Sequence, residues 1–173
     1  MTVVFGAIGF ALLALTALPA PATAYSMVAV IETQTQGPLA CGNTTRGLEG
    51  TQTLLGISDE IALPATDIAG GDPSGGLQVR PVVVIKELDR CTPPLFLALV
   101  HRERIRLVEI RFFDRQGVHF FTIRLEDALV TRISRVVRSH GLHEEVAFAF
   151  RGIQLIDERS GASASHHFAG EAG

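Results

Sequence analysis

The stretch IRLVEIRFFDRQGVHFFTIRL, residues 105–125, decides the fold. Val108, Ile110 and Phe112 recur every second residue, the spacing that puts side chains on one face of a strand. Asp114-Arg115-Gln116-Gly117 follows, with Asp first and Gly fourth as a type I turn prefers. Phe121, Ile123 and Leu125 then share a face again, so the stretch predicts a β-hairpin. Downstream, Glu126-Asp127 separates this return strand from a further strand over Ala128 to Val137, and Ser139-His140-Gly141 makes a break. Val146-Ala147-Phe148-Ala149-Phe150 alternates small and large, and Ile153 to Ile156 follows. Gly152 between them marks either a bulge or a bend in one long strand. The tail over 158–173, Gly, Ala and Ser-rich from Ser160, reads as loose.

Upstream, Leu77 to Lys86 has the β-branched composition of a strand, with Pro81 suggesting an edge or a start. Strands are also expected over Ser26 to Ile31 and around Thr51 to Ser58. One helix is predicted, with Thr92 as N-cap, Pro93 at the first helical position and an apolar run from Leu95 to Val100. So short and apolar a helix must dock on a sheet to persist in water. About seven strands and one helix predict a mainly β fold: a small antiparallel β-barrel or two-sheet sandwich with one short flanking α-helix.

The 173 residues are too few for two ordinary domains. With 15 basic against 18 acidic residues, the net charge of −3 argues against a chain built to neutralise nucleic-acid phosphates. Val3 to Ala20 has one polar side chain, Thr16, and no charged residue precedes Glu32. The run leads into Ala22-Thr23-Ala24, small at the two positions a signal peptidase reads, so residues 1–24 are expected to be a cleaved secretory signal. The exported chain then starts at Tyr25, in a secreted or periplasmic location, and has no membrane contact after cleavage. A retained single-span anchor is the alternative. Export gives meaning to Cys41 and Cys91, the only cysteines: an even pair in an oxidising compartment is expected to form a disulfide, against the alternative of two unrelated thiols. Closing that loop restricts the unfolded chain by about 4 kcal/mol on the loop-entropy account.

No catalytic or metal constellation stands out, and no cofactor is expected. Gly71-Asp72-Pro73-Ser74-Gly75-Gly76 has the look of a serine-nucleophile segment, but Pro73 is inserted between Asp72 and Ser74 and no histidine precedes His101 to serve as base. His140, His143 and Glu144 fall where a turn is predicted and read as a solvated loop rather than ligands; His166-His167 lies in the tail. Fourteen of the fifteen basic residues are arginine. Arg102, Arg104, Arg106, Arg111 and Arg115 cluster around the hairpin; such a set could line a lumen or grip an acidic partner, but Glu103, Glu109 and Asp114 among them favour a solvated face, with some arginines in subunit contacts.

Three segments in order carry a resemblance: Asp89-Arg90-Cys91-Thr92-Pro93-Pro94-Leu95 at the helix start, Thr131-Arg132-Ile133-Ser134, and Val146-Ala147-Phe148-Ala149-Phe150-Arg151-Gly152-Ile153-Gln154. With the strand, Gly-rich loop and hairpin around them, the chain over residues 25–157 resembles the haemolysin co-regulated protein (Hcp) family. The resemblance implies a small β-barrel with a helix on its flank, non-enzymatic, whose subunits form hexameric rings that stack as the inner tube of type VI secretion systems. It also implies a lumen that passes effectors and an extended loop that bridges stacked rings. Ile68-Ala69-Gly70-Gly71-Asp72-Pro73-Ser74-Gly75-Gly76 stands where that loop would be, and its glycines suit a segment lying along a neighbour. Partners on this reading are copies of the chain itself and a secreted effector or envelope protein. The alternative is a monomeric exported β-barrel binding module unrelated to secretion tubes.

Overall fold

The hairpin at the centre of the sequence is also the centre of the sheet. In the computed structural model, which describes residues 25–62, 77–138 and 141–168, β8 (Arg104–Phe113) and β9 (His119–Arg138) pair antiparallel around the turn at Asp114. Asp114 organises that turn as an aspartate does: its Oδ1 accepts the backbone N–H groups of Gln116 and Val118, each at 3.0 Å. Gly117 takes the left-handed conformation, φ 77°, and its N–H donates to Asp114 O.

The other strands are β1 (Ser26–Thr33), β2 (Gly37–Pro38), β3 (Gln52–Leu54), β4 (Gly56–Ser58), β5 (Ile61–Ala62), β6 (Gln78–Val79), β7 (Val82–Glu87), β10 (Gly141–Ala149), β11 (Gly152–Asp157) and β12 (Ser163–His167); the helix α1 is Thr92–His101. The main sheet runs β2-β1-β8-β9-β10-β7-β4, all antiparallel, and β5 pairs only with β6. This is the mainly β, one-helix fold the sequence predicts, in sandwich-like form rather than as a barrel closed by a direct ladder. The two sides of the sheet meet in a single short segment: β3 pairs with β1, β4 pairs with β7, and Leu55 between them donates its N–H to Ile85 O.

Three expectations are corrected. The return strand and the strand after Glu126-Asp127 are one strand, β9, twenty residues long. Straight, it would extend about 65 Å at roughly 3.3 Å per residue; instead it bends at Asp127, whose φ is 50°. The inward set shifts there from Ile123 and Leu125 to Ala128 and Val130, although the pairing with β8 keeps its register across Asp127. A second irregularity between Ala147 and Phe148 of the partner strand shifts it once more, to Ile133. The predicted strand over Thr51 to Ser58 is likewise β3 and β4, which turn to different partners about Leu55. The tail from Ser160 is not loose as far as Phe168: Asp157 caps a turn through bonds from Arg159 N and the Ser160 hydroxyl, and β12 then pairs along β11.

Of the readings left open at Gly152, the bent long strand fits. β10 pairs with Leu129 to Arg138 and β11 with Phe121 to Glu126, and from Phe148 to Asp157 the two keep one register along β9 across the gap at Phe150-Arg151. The core lies inside this curled sheet and includes Ile31, Val82, Val84, Ile105, Ile110, Leu125 and Phe148. α1 packs against β9 through buried Leu95 and Ala98. It ends in Arg102, φ 52°, whose N–H returns to Ala98 and Leu99 carbonyls, closing the last turn.

Candidate assembly surface

Cys41 and Cys91 are joined in a disulfide, with Cα atoms 5.0 Å apart, at the start of α1. Thr92 and Pro93 are beside it, but not in the expected roles: Cys91 occupies the N-cap position without a side-chain cap, and Thr92 and Pro93 are the first two helical residues. The reason is local. Pro93 and Pro94 have no N–H to satisfy, Thr92 N donates to Asp89 O, and Cys91 N donates to Asp89 Oδ1. Asp89 therefore does the capping, which frees the Thr92 hydroxyl to donate to Glu144 Oε2 at 3.0 Å.

That hydroxyl belongs to a buried polar cluster the sequence reading missed. Lys86, Glu144 and Arg135 stand opposite one another across β7, β10 and β9. Lys86 and Glu144 are fully buried. Lys86 Nζ lies 3.2 Å from Glu144 Oε2 and 3.0 Å from Asp89 Oδ1, and donates to Glu87 O and Thr92 Oγ1. Arg135 Nη2 approaches Glu144 Oε1 to 3.0 Å as an ion pair without hydrogen-bond geometry. His143 and Glu144 thus sit inside β10, not in a solvated loop, and His143 Nδ1 is buried with no partner. Among the described residues no group of His, Cys, Asp and Glu is arranged to hold a metal ion.

Asp89 Oδ2 also accepts Gly42 N, so the disulfide, the aspartate and the lysine fasten the Leu39–Gly50 loop to the β7–α1 junction. Next to this junction is a solvent-open cleft of about 230 Å³ lined by Gly42, Asn43, Gln52, Thr53, Leu55, Glu87 and Asp89. At the far end of α1 the surface differs. Phe96, Leu97 and Val100 are about half exposed there, beside Arg102 and Glu103. Hydrogen bonds from Thr35, above all its hydroxyl, hold the Glu103 carboxyl below its ordinary range.

Most of the clustered arginines are neutralised in the chain. Arg111 and Arg124 both grip Glu109, overcoming the upward push of burial and lowering its carboxyl. Arg104 and Arg151 pair with Asp127, Arg106 with Glu32, and Arg159 with Asp114. Tyr25, the expected first exported residue, is exposed and rests against Phe120, ring centroids 5.8 Å apart. Ala22, Ala24, His140 and the loop Ile68 to Gly76 lie outside the described residues.

A curled antiparallel sheet with one docked helix, an internal polar brace and apolar surface left on that helix places the chain in the class of small, mainly β proteins with a single flanking helix. Comparison then gives the family. The profile described as "Type VI secretion system effector, Hcp" matches residues 41–155, and the chain belongs to the Hcp family. It is 33% identical over 137 residues to the "Major exported protein" of Pseudomonas aeruginosa, spanning 72% of this chain and 79% of that one. Among solved structures it is similar to an Hcp protein at 25% identity and TM-score 0.77, covering 86% of this chain and all of that one. The secreted protein Hcp3 of P. aeruginosa matches at 28% identity and TM-score 0.69, covering 85% of this chain and 100% of that one.

Proposed function

We propose that this chain is an exported, non-enzymatic tube subunit that assembles with copies of itself into hexameric rings, the rings stacking into a tube of the type VI secretion kind. The observation that carries the reading is the family match across residues 41–155, on a fold that covers the whole of two solved Hcp chains. The surface supports it. A helix on the flank of a monomer needs one apolar face, yet α1 buries Leu95 and Ala98 while turning Phe96, Leu97 and Val100 outward. Ile68 to Gly76 is assigned as the segment that bridges stacked rings, and the lumen as the path of a secreted effector.

Residues 1–24 are assigned as the cleaved leader, residues 25–157 as the ring-forming domain, and the disulfide as a bond made after export. Negative-stain electron microscopy of the purified exported protein tests the assembly: six-fold rings are expected, and a field of single small particles at high concentration overturns it. N-terminal sequencing of the same material tests the leader. A start at Tyr25 is expected; a start at Met1 overturns cleavage.

A further inference from the structure

The cleft beside the disulfide presents acceptors. Gln52 is 3% exposed, lines the cleft, and its amide oxygen has no hydrogen-bond partner, while its nitrogen donates to Thr53 O. Glu87, on the same wall, is exposed and its carboxylate pairs with no basic group among the described residues. Asp89 also lines the cleft, but its carboxylate is taken up by Lys86, Cys91 N and Gly42 N, so Glu87 is the open carboxylate, and no basic side chain is part of the lining. Half-exposed Leu55 supplies an apolar wall, with exposed Leu88 next to Glu87 in the chain. A buried carbonyl oxygen, an open carboxylate and an aliphatic wall are what a guanidinium on its methylene stem complements.

The chain itself carries such groups. Its only lysine is buried, whereas Arg46, Arg90 and Arg102 form no ion pair among the described residues. Arg46 is in the loop that supplies Gly42 and Asn43, and Arg90 adjoins Asp89, so both border the cleft's own side. Arg102 is at the other end of α1, about 15 Å along a ten-residue helix. Exposed Leu97 and Val100 stand near it as Leu55 and Leu88 stand near the cleft. We infer that the cleft receives the Arg102 guanidinium of a second copy of this chain. Contact between two unlike patches is heterologous, and heterologous contacts close into rings or propagate as stacks; the inference rests on the self-association proposed above.

Charge exchange followed by sedimentation velocity over a wide concentration range tests it. Arg102→Glu and Glu87→Arg are each expected to raise the concentration needed for assembly at least about tenfold, and the double variant to recover most of that loss. Glu87→Gln, milder and on an exposed strand end, should weaken assembly in the same direction, with circular dichroism confirming that each variant is folded. If the wild type assembles and the single variants do so equally well, or the double variant shows no recovery, the contact is overturned while self-association stands. If the wild type stays monomeric throughout, self-association fails and the contact with it.

Discussion

At the scale of single residues, the chain's only lysine carries the most specific structural role. Lys86 and Glu144 are buried together, and removing either leaves the other in the interior with one charged partner instead of two, Asp89 for the lysine and Arg135 for the glutamate. Lys86→Met or Glu144→Leu alone should cost about 3–5 kcal/mol in urea unfolding, while the double replacement should cost much less than the sum. Strict additivity would contradict a coupled pair. Part of this was legible: Val82, Val84 and Lys86 alternate onto one face, so a strand inward at Val84 is inward at Lys86. Glu144 was not, because Ser139-His140-Gly141 reads as a break wide enough to leave His143 and Glu144 in solvent. In the structure β10 begins at Gly141 and sets Glu144 opposite Lys86. The Thr92 cap failed for a related reason: sequence shows a hydroxyl before two prolines, not that Asp89 has already met the free amides.

At the scale of elements, β9 shows what a period-two reading can and cannot see. The first half has the shared face predicted for Phe121, Ile123 and Leu125, but the left-handed residue Asp127 shifts the period and so looks like a boundary. Asp127 holds that shift in the left-handed region, where a β-branched side chain is strained. Asp127→Val should therefore lower stability by about 1–2 kcal/mol, whereas Asp127→Gly keeps the bend and loses only the pairs with Arg104 and Arg151. Thermal unfolding of the two variants checks this, and a Val variant as stable as the Gly variant would show that the bend does not depend on Asp127. β12 escaped notice because Ser163 to His167 has no apolar alternation; it is exposed along its length and is held by its ladder to β11.

At the scale of the whole molecule, two conditions should govern stability. Reduction of Cys41–Cys91 opens a loop spanning 50 residues of sequence and should cost about 4 kcal/mol, read as a lower urea midpoint. The Cys41→Ser, Cys91→Ser double variant should match the reduced wild type and ignore reductant; an unchanged midpoint on reduction would contradict this. Acid acts through carboxyls held low in the folded state: Glu109 by Arg124 and Arg111, despite its burial, Asp114 chiefly by Val118 N–H, and Asp157 chiefly by the Ser160 hydroxyl. Their folded values lie below the unfolded ones, so the stability they contribute is complete above the unfolded carboxylate range and is lost as pH falls through the folded values. The melting temperature should be level near neutrality and drop below about pH 4.5; a rise on acidification would contradict the assignment. At this scale the mainly β class, the flanking helix and the family resemblance were legible from ordered short motifs. The way the sheet meets itself through Gln52 to Ser58 was not, since seven residues turning from β1 to β7 look like one ordinary strand. On the proposed function the molecule works as a ring of identical subunits. Light scattering after size exclusion, across a hundredfold range of concentration of the oxidised exported protein, tests it most directly. A mass of six chains that holds on dilution is predicted; a single-chain mass at every concentration would contradict it.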